Sequence, residues 1–132
     1  MSIEELRKKF IVEDDVLRNR LEAIATKALV HCVVDKKGAV HFNNPRLTGR
    51  EKLRLTLAAR AIASQMESGV RAEVSVAELS ENCGVPKNQV RARAADLINE
   101  KSATSRKRGY YTAVPHKVEA LLDSIGMISK KA

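Results

Sequence analysis

Two short groups of side chains carry the chemistry of this sequence: Lys87, Asn88, Gln89, Arg91 and Arg93, then Arg106, Lys107 and Arg108. Asparagine and glutamine present a donor and an acceptor in one plane, and a guanidinium presents a fork of donors. Both shapes match the edges that adenine and guanine show in the major groove of duplex DNA. Lysine and arginine also neutralise phosphates and release the counterions condensed on a polyanion. On residue type alone, Asn88, Gln89 and Arg91 are the candidates for base contact. Lys87, Arg93, Arg106, Lys107 and Arg108 are the candidates for phosphate contact.

Those side chains need elements to hold them. Ser75-Val76-Ala77-Glu78 reads as a capping box, in which the serine hydroxyl and the glutamate carboxylate satisfy each other's backbone amides at a helix start. Leu79 and Cys83 fall four apart on its inner face, and Gly84 follows where a chain leaving a helix needs positive φ. Val85 plugs the turn, and Pro86 suits the opening of a second helix, since a first-turn N–H has no partner to lose. In that helix, expected over 86–101, Val90, Ala94, Leu97 and Ile98 form one apolar stripe and leave the opposite face to Lys87, Asn88, Gln89, Arg91 and Ala92. Two β-rich runs over 103–114 flank Arg106-Lys107-Arg108-Gly109 and predict a two-stranded hairpin with a cationic tip.

This pattern resembles the winged helix-turn-helix superfamily over roughly residues 48–125. The resemblance implies that 86–101 is a recognition helix for the major groove and that Arg106, Lys107 and Arg108 form a wing on the backbone or minor groove. Arg93 is a departure, because that part of a recognition helix often packs inward. Its side chain is expected to run along the helix edge toward a phosphate.

Charge is distributed to match. The chain has 132 residues and a net charge of +8, yet residues 86–109 alone hold seven cations against Asp96 and Glu100, a net of +5. Residues 64–85 hold Glu67, Glu73, Glu78 and Glu81 against Arg71, a net of −3. A field polarised in this way draws a polyanion to one face. Taken alone, arginines on a helix are ordinary solvated charges; the turn and hairpin signals together weigh against that reading here.

Upstream, Thr48-Gly49-Arg50-Glu51 is a second capping box, opening a support helix with a stripe of Leu55, Ala58, Ala59, Ile62 and Met66 that stops near Ser68-Gly69. Downstream, Val118, Leu121, Leu122 and Ile125 predict a helix after Pro115, ending at Gly126, whose apolar face needs something to pack on, such as a partner subunit. Residues 1–46 read as a separate unit. A short helix capped by Ser2 shares Ile3, Leu6 and Phe10 on one face. A second helix follows the acids Glu13, Asp14 and Asp15 and buries Leu17, Leu21, Ile24, Ala25 and Ala28. A hairpin then runs through 29–34 and 39–42 around Asp35-Lys36-Lys37-Gly38.

The expected architecture is therefore mainly α with small β (α+β). An N-terminal helix and hairpin at 1–46, a dimerisation element, precedes a winged helix-turn-helix domain at 47–126 and a basic tail at 127–132. The partners expected are double-stranded DNA and a second copy of the chain, since a dimer presents two recognition helices to two half-sites. The alternative is an interaction module whose basic face binds a protein partner, or RNA within a ribonucleoprotein.

Other classes are poorly served. His31, Cys32 and His41 fall on the N-terminal hairpin, where Cys32 could face His41, but no third or fourth metal ligand is evident. His116 is expected to begin the last helix. Nothing supplies an oxyanion hole or a glycine-rich phosphate loop, so neither an enzyme nor a cofactor is expected. Aromatics are 3% of the chain, which argues against an effector pocket and against stacking on single strands. Cys32 and Cys83 have no CxxC spacing, no span of ~18 apolar residues occurs, and the expected location is cytoplasmic and nucleoid-associated.

Overall fold

A single helix organises everything else. In the computed structural model, which describes residues 2–10 and 16–129, that helix is α4 (Gly49–Met66). It opens on the capping box expected from the sequence. The Thr48 hydroxyl accepts from the Glu51 amide at 3.1 Å, and the Glu51 carboxylate accepts from the Thr48 amide at 3.1 Å. Every residue from Leu55 to Ile62 is buried, including Thr56 and Arg60, so α4 is covered all round rather than along one stripe. Met66 departs from the expected stripe: it lies at the solvent end of the helix and is 57% exposed.

Three groups of elements cover it. The first comes from the N-terminal third: α1 (Ile3–Phe10), α2 (Val16–Asn19), α3 (Leu21–Leu29), β1 (Cys32–Val34) and β2 (Val40–Phe42). The acids Glu13, Asp14 and Asp15 lie outside the described residues. The helix expected after them is interrupted at Arg20, whose φ of −115° and ψ of 19° are not helical, which separates α2 from α3. β1 and β2 pair antiparallel in the register Cys32↔Phe42, Val33↔His41, Val34↔Val40. Leu17, Ile24, Ala28, Cys32 and Val40 join one hydrophobic core with α4. The apolar faces of α3 and the hairpin are thus satisfied within the chain.

The second group is the turn unit. The short strand β3 (Val74–Ser75) leads into α5 (Val76–Cys83), where Ser75 and Glu78 form the second capping box. Gly84 ends α5 at φ 67°, the left-handed conformation expected of it, and the Ser80 hydroxyl donates to the Val85 carbonyl at 2.6 Å to brace the turn. Pro86 is the N-cap of α6 (Lys87–Asn99), one residue before the position expected for it. Glu100 and Lys101 close the helix: the Ser102 amide reaches the Leu97 carbonyl and the Lys101 amide that of Ile98, with Lys101 at φ 65°. Strands β4 (Ala103–Thr104) and β5 (Tyr110–Ala113) then form the expected hairpin, and β3 adds to it, giving the sheet order β3-β5-β4.

The third group is the C-terminal helix. A 3-10 turn at Pro115–Lys117 holds His116 and precedes α7 (Val118–Ser129), which runs through Gly126 instead of ending there. No proline stands at 127–129 to stop it. Val118, Leu121, Leu122 and Ile125 are all buried in the same core as α4, so this face packs on its own chain and not on a partner subunit. Lys27 on α3 donates to Glu119 at 2.7 Å and Asp123 at 3.1 Å, and Arg20 donates to Glu119 at 3.1 Å, tying the first group to the third. The fold is α+β, mostly helical with two small antiparallel sheets. Among the described residues, no helix is long and apolar enough to cross a membrane.

Candidate nucleic-acid interface

The helical period sorts α6 into two faces. Val90, Ala94 and Leu97 are buried against the core, while Lys87, Asn88, Gln89, Arg91, Ala92, Arg93, Ala95 and Asn99 are exposed. Ile98, expected on the apolar stripe, is 37% exposed, because at 100° per residue it falls at the edge of the buried arc. The centre of the outer face is Asn88, Ala92, Ala95 and Asn99, with Arg91 on one flank and Gln89 and Arg93 on the other. Two alanines at the centre keep that face low, which allows close approach of a large partner. Asn99 went unrecognised in the sequence although it shares the period of Asn88 and Ala92.

The turn that launches α6 is held against α4. A Cβ built on Gly49 would meet Val85 Cγ1 at 2.5 Å, so any larger residue would force Val85 to shift at that crossing. The contact also brings the exposed Arg50, next in sequence, to the neighbourhood of the α6 start. Nothing in the linear pattern pointed to it.

At the hairpin tip, Arg106, Lys107 and Arg108 are all exposed, as expected. The Ser105 hydroxyl and the Tyr110 amide both donate to the Lys107 carbonyl, at 3.1 and 3.0 Å, which gives the tip a fixed backbone. Lys107 Nζ sits 4.6 Å from the centre of the Tyr110 ring, a cation–π contact that occupies it in part. The α6 C-terminus feeds β4 through Ser102, whose carbonyl accepts from the Val114 amide at 2.9 Å.

Partnering separates these cations from those drawn into the fold. Among the described residues, no acid pairs with Lys87, Arg91, Arg106, Lys107 or Arg108. Arg93 is the exception: it lies 3.6 Å from Asp96, one turn along, with both side chains about half exposed. A pair of that kind contributes little and yields readily to a stronger anion. Two cations of α4 are engaged instead. Arg54 donates to Glu100 and Ser124. Arg60, 4% exposed, donates to the carbonyls of Gly38, Arg71 and Glu73 and to the Glu78 carboxylate at 2.7 Å. Burial alone would raise the Glu78 pKa, but the Arg60 hydrogen bond and charge and the Ser75 donors hold it below its ordinary value.

The N-terminal hairpin has no such arrangement. Cys32 pairs with Phe42 across the strands and points into the core, whereas His41 pairs with Val33 and faces solvent, bonded to Asp35 at 2.9 Å. Alternation along the strand puts Cys32 and His41 on opposite faces, so the facing pair considered from the sequence is not formed. Burial pushes the Cys32 and Cys83 thiols up to about 11, leaving both protonated at neutral pH. Among the described residues, no three His, Cys, Asp or Glu side chains gather as a metal site. Compared with known proteins, the chain matches no family model, no curated protein and no solved structure.

Proposed function

We propose that this chain is a winged helix-turn-helix protein that binds duplex DNA and acts as a transcriptional regulator. Helix α6 enters the major groove, and the β4–β5 hairpin lies on the backbone or in the minor groove. The succession α4, β3, α5, α6, β4, β5, with β3 pairing on β5, is what a helix-turn-helix carrying a wing requires, and it supports the reading. Asn88, Gln89 and Arg91 contact bases. Lys87, Arg93, Arg106, Lys107 and Arg108 contact phosphates. Two copies present two such helices to two half-sites.

One observation carries the proposal: the cations of the α6 face and the hairpin tip are exposed and, Arg93 aside, without acidic partners among the described residues, whereas Arg54 and Arg60 within the fold are drawn into ion pairs. Selection of bound fragments from a random duplex pool tests it. A recurring motif is the expected outcome, read about 1 to 3 kcal/mol less tightly by Arg91→Ala at the motif and almost equally on random duplex. Tighter binding to structured RNA, or enrichment of nothing, would remove the basis for it.

A further inference from the structure

Among the described residues, the packing of the single chain leaves an apolar helix face and an apolar groove open together. One is the face of α1 formed by Ile3, Leu6 and Phe10, spaced i, i+3 and i+7, with Ile3 84% and Phe10 87% exposed. The other is a groove of 330 Å³ between the end of α3, β1 and the last turns of α4. Ala28, Cys32, Ala59 and Ile62 line it together with Leu29 and Met66, both largely exposed. Among the described residues, none of α1 lines this groove, and Ile3 and Phe10 of the chain's own α1 stand in solvent.

We infer that the groove seats α1 of a second copy, so that two chains exchange their first helices about a twofold axis. The inference rests on the dimeric part of the reading above and is indifferent to what α6 binds. An amphipathic helix laid in an apolar groove is a common mode of recognition, and here helix and groove belong to one chain, the condition for a closed, self-complementary pair. Charge agrees. The rim carries Asp35, Lys36 and Glu67, a net of −1, and the α1 sequence holds Glu4, Glu5, Arg7, Lys8 and Lys9, a net of +1, so the two are opposite in sign.

Size sets the strength. A stable interface buries about 1,200 to 2,000 Å² in total, or roughly 300 to 500 Å² on each of the four surfaces of an exchange. A helix of eight residues, about 12 Å long and 10 to 12 Å across, presents on the order of 250 Å² on one side. Four such surfaces total about 1,000 Å², so the pair sits at the weak end, with a mass that depends on concentration.

Sedimentation velocity on the full chain across the micromolar range tests this, with Phe10→Glu and Met66→Glu as variants. Both side chains are exposed in the single chain, so the melting temperature of the dilute variants stays at the wild-type value. The wild type is expected to pass from monomer to dimer, and each variant to raise the midpoint at least tenfold. Mixing Phe10→Cys chains with mass-tagged Met66→Cys chains under mild oxidation locates the seat. A disulfide between copies is expected, with the buried Cys32 and Cys83 not competing. A monomer at every concentration would overturn both the exchange and the dimeric reading. A dimer indifferent to both glutamates would overturn the exchange alone. So would a disulfide that forms only within a chain carrying both cysteines, since that assigns the groove to its own helix.

Discussion

Arg60 and Arg91 are the same residue type on neighbouring helices, and the fold treats them in opposite ways. Arg60 is buried, and its guanidinium is divided among three carbonyls and the Glu78 carboxylate, joining the N-terminal hairpin at Gly38, the segment before β3 and the start of α5. Arg91 stands in solvent beside Asn88 and Ala95 with no acid among the described residues paired to it, and the same holds for Arg106 and Arg108 at the hairpin tip. A cation inside the fold must be surrounded by acceptors, because stranding it there is costly. An unpaired cation outside contributes little to stability and adds self-repulsion; the proposed function gives those on α6 and the hairpin tip a partner beyond the chain. The net charge of +8 hides this division. What matters is which of the 24 lysines and arginines remain unengaged.

That contrast can be broken at several points. Arg60→Ala should show the largest effect, a loss of about 3 kcal/mol by chemical denaturation, since it strands buried carbonyls as well as an acid. Arg91→Ala should stay within about 0.5 kcal/mol of wild type in the same experiment, as exposed substitutions do. If the two variants were equally stable, the division between engaged and unengaged cations would be empty. Gly49→Ala comes next, at roughly 1 to 3 kcal/mol, because its methyl group would drive Val85 and the turn before α6 away from α4. DNA affinity should fall with it while the α6 side chains remain unchanged.

Acid sensitivity sharpens the buried half. The folded Glu78 carboxyl titrates below the ordinary 4.5, so the stabilisation from its pairing with Arg60 is complete above that pH and is lost as pH falls through the folded value. In Glu78→Gln, the part of the acid-induced loss below pH 4.5 that this carboxyl contributes should vanish, as a stability–pH series on both proteins would show. The smallest effect is a gain. Lys101→Gly should add about 0.5 to 1 kcal/mol, because glycine adopts the φ of 65° that Lys101 holds at the end of α6 without a Cβ penalty.

How much of this was legible in the residues follows from the range of each interaction. Both capping boxes and the Gly84 turn are set by neighbours within a few positions, and they stand where the sequence placed them. The buried and exposed faces of α6 follow from its period, with Ile98 misassigned at the margin. Arg60 was invisible, since its partners lie 11 to 22 residues away and a lone arginine in a helix reads as solvated. The depth of α4 was understated for a related reason: residues such as Thr56 and Ala61 break an apolar stripe on paper but are covered by α5, α7 and the first hairpin in space. β3, two residues long, lies inside a stretch already explained by capping. The nearness of the Arg50 backbone to the start of α6 follows only from the Gly49–Val85 crossing, which joins positions far apart in sequence.

The unengaged cations are tested most directly by the salt dependence of duplex binding. For the wild type, log affinity should fall linearly with log salt at about 0.9 per phosphate neutralised, a slope of several units. With Arg106, Lys107 and Arg108 changed to alanine, the slope should flatten by close to one unit for each phosphate no longer neutralised, at unaltered stability. Identical slopes for the two proteins, or an affinity that ignores salt altogether, would contradict the assignment of these side chains to a polyphosphate.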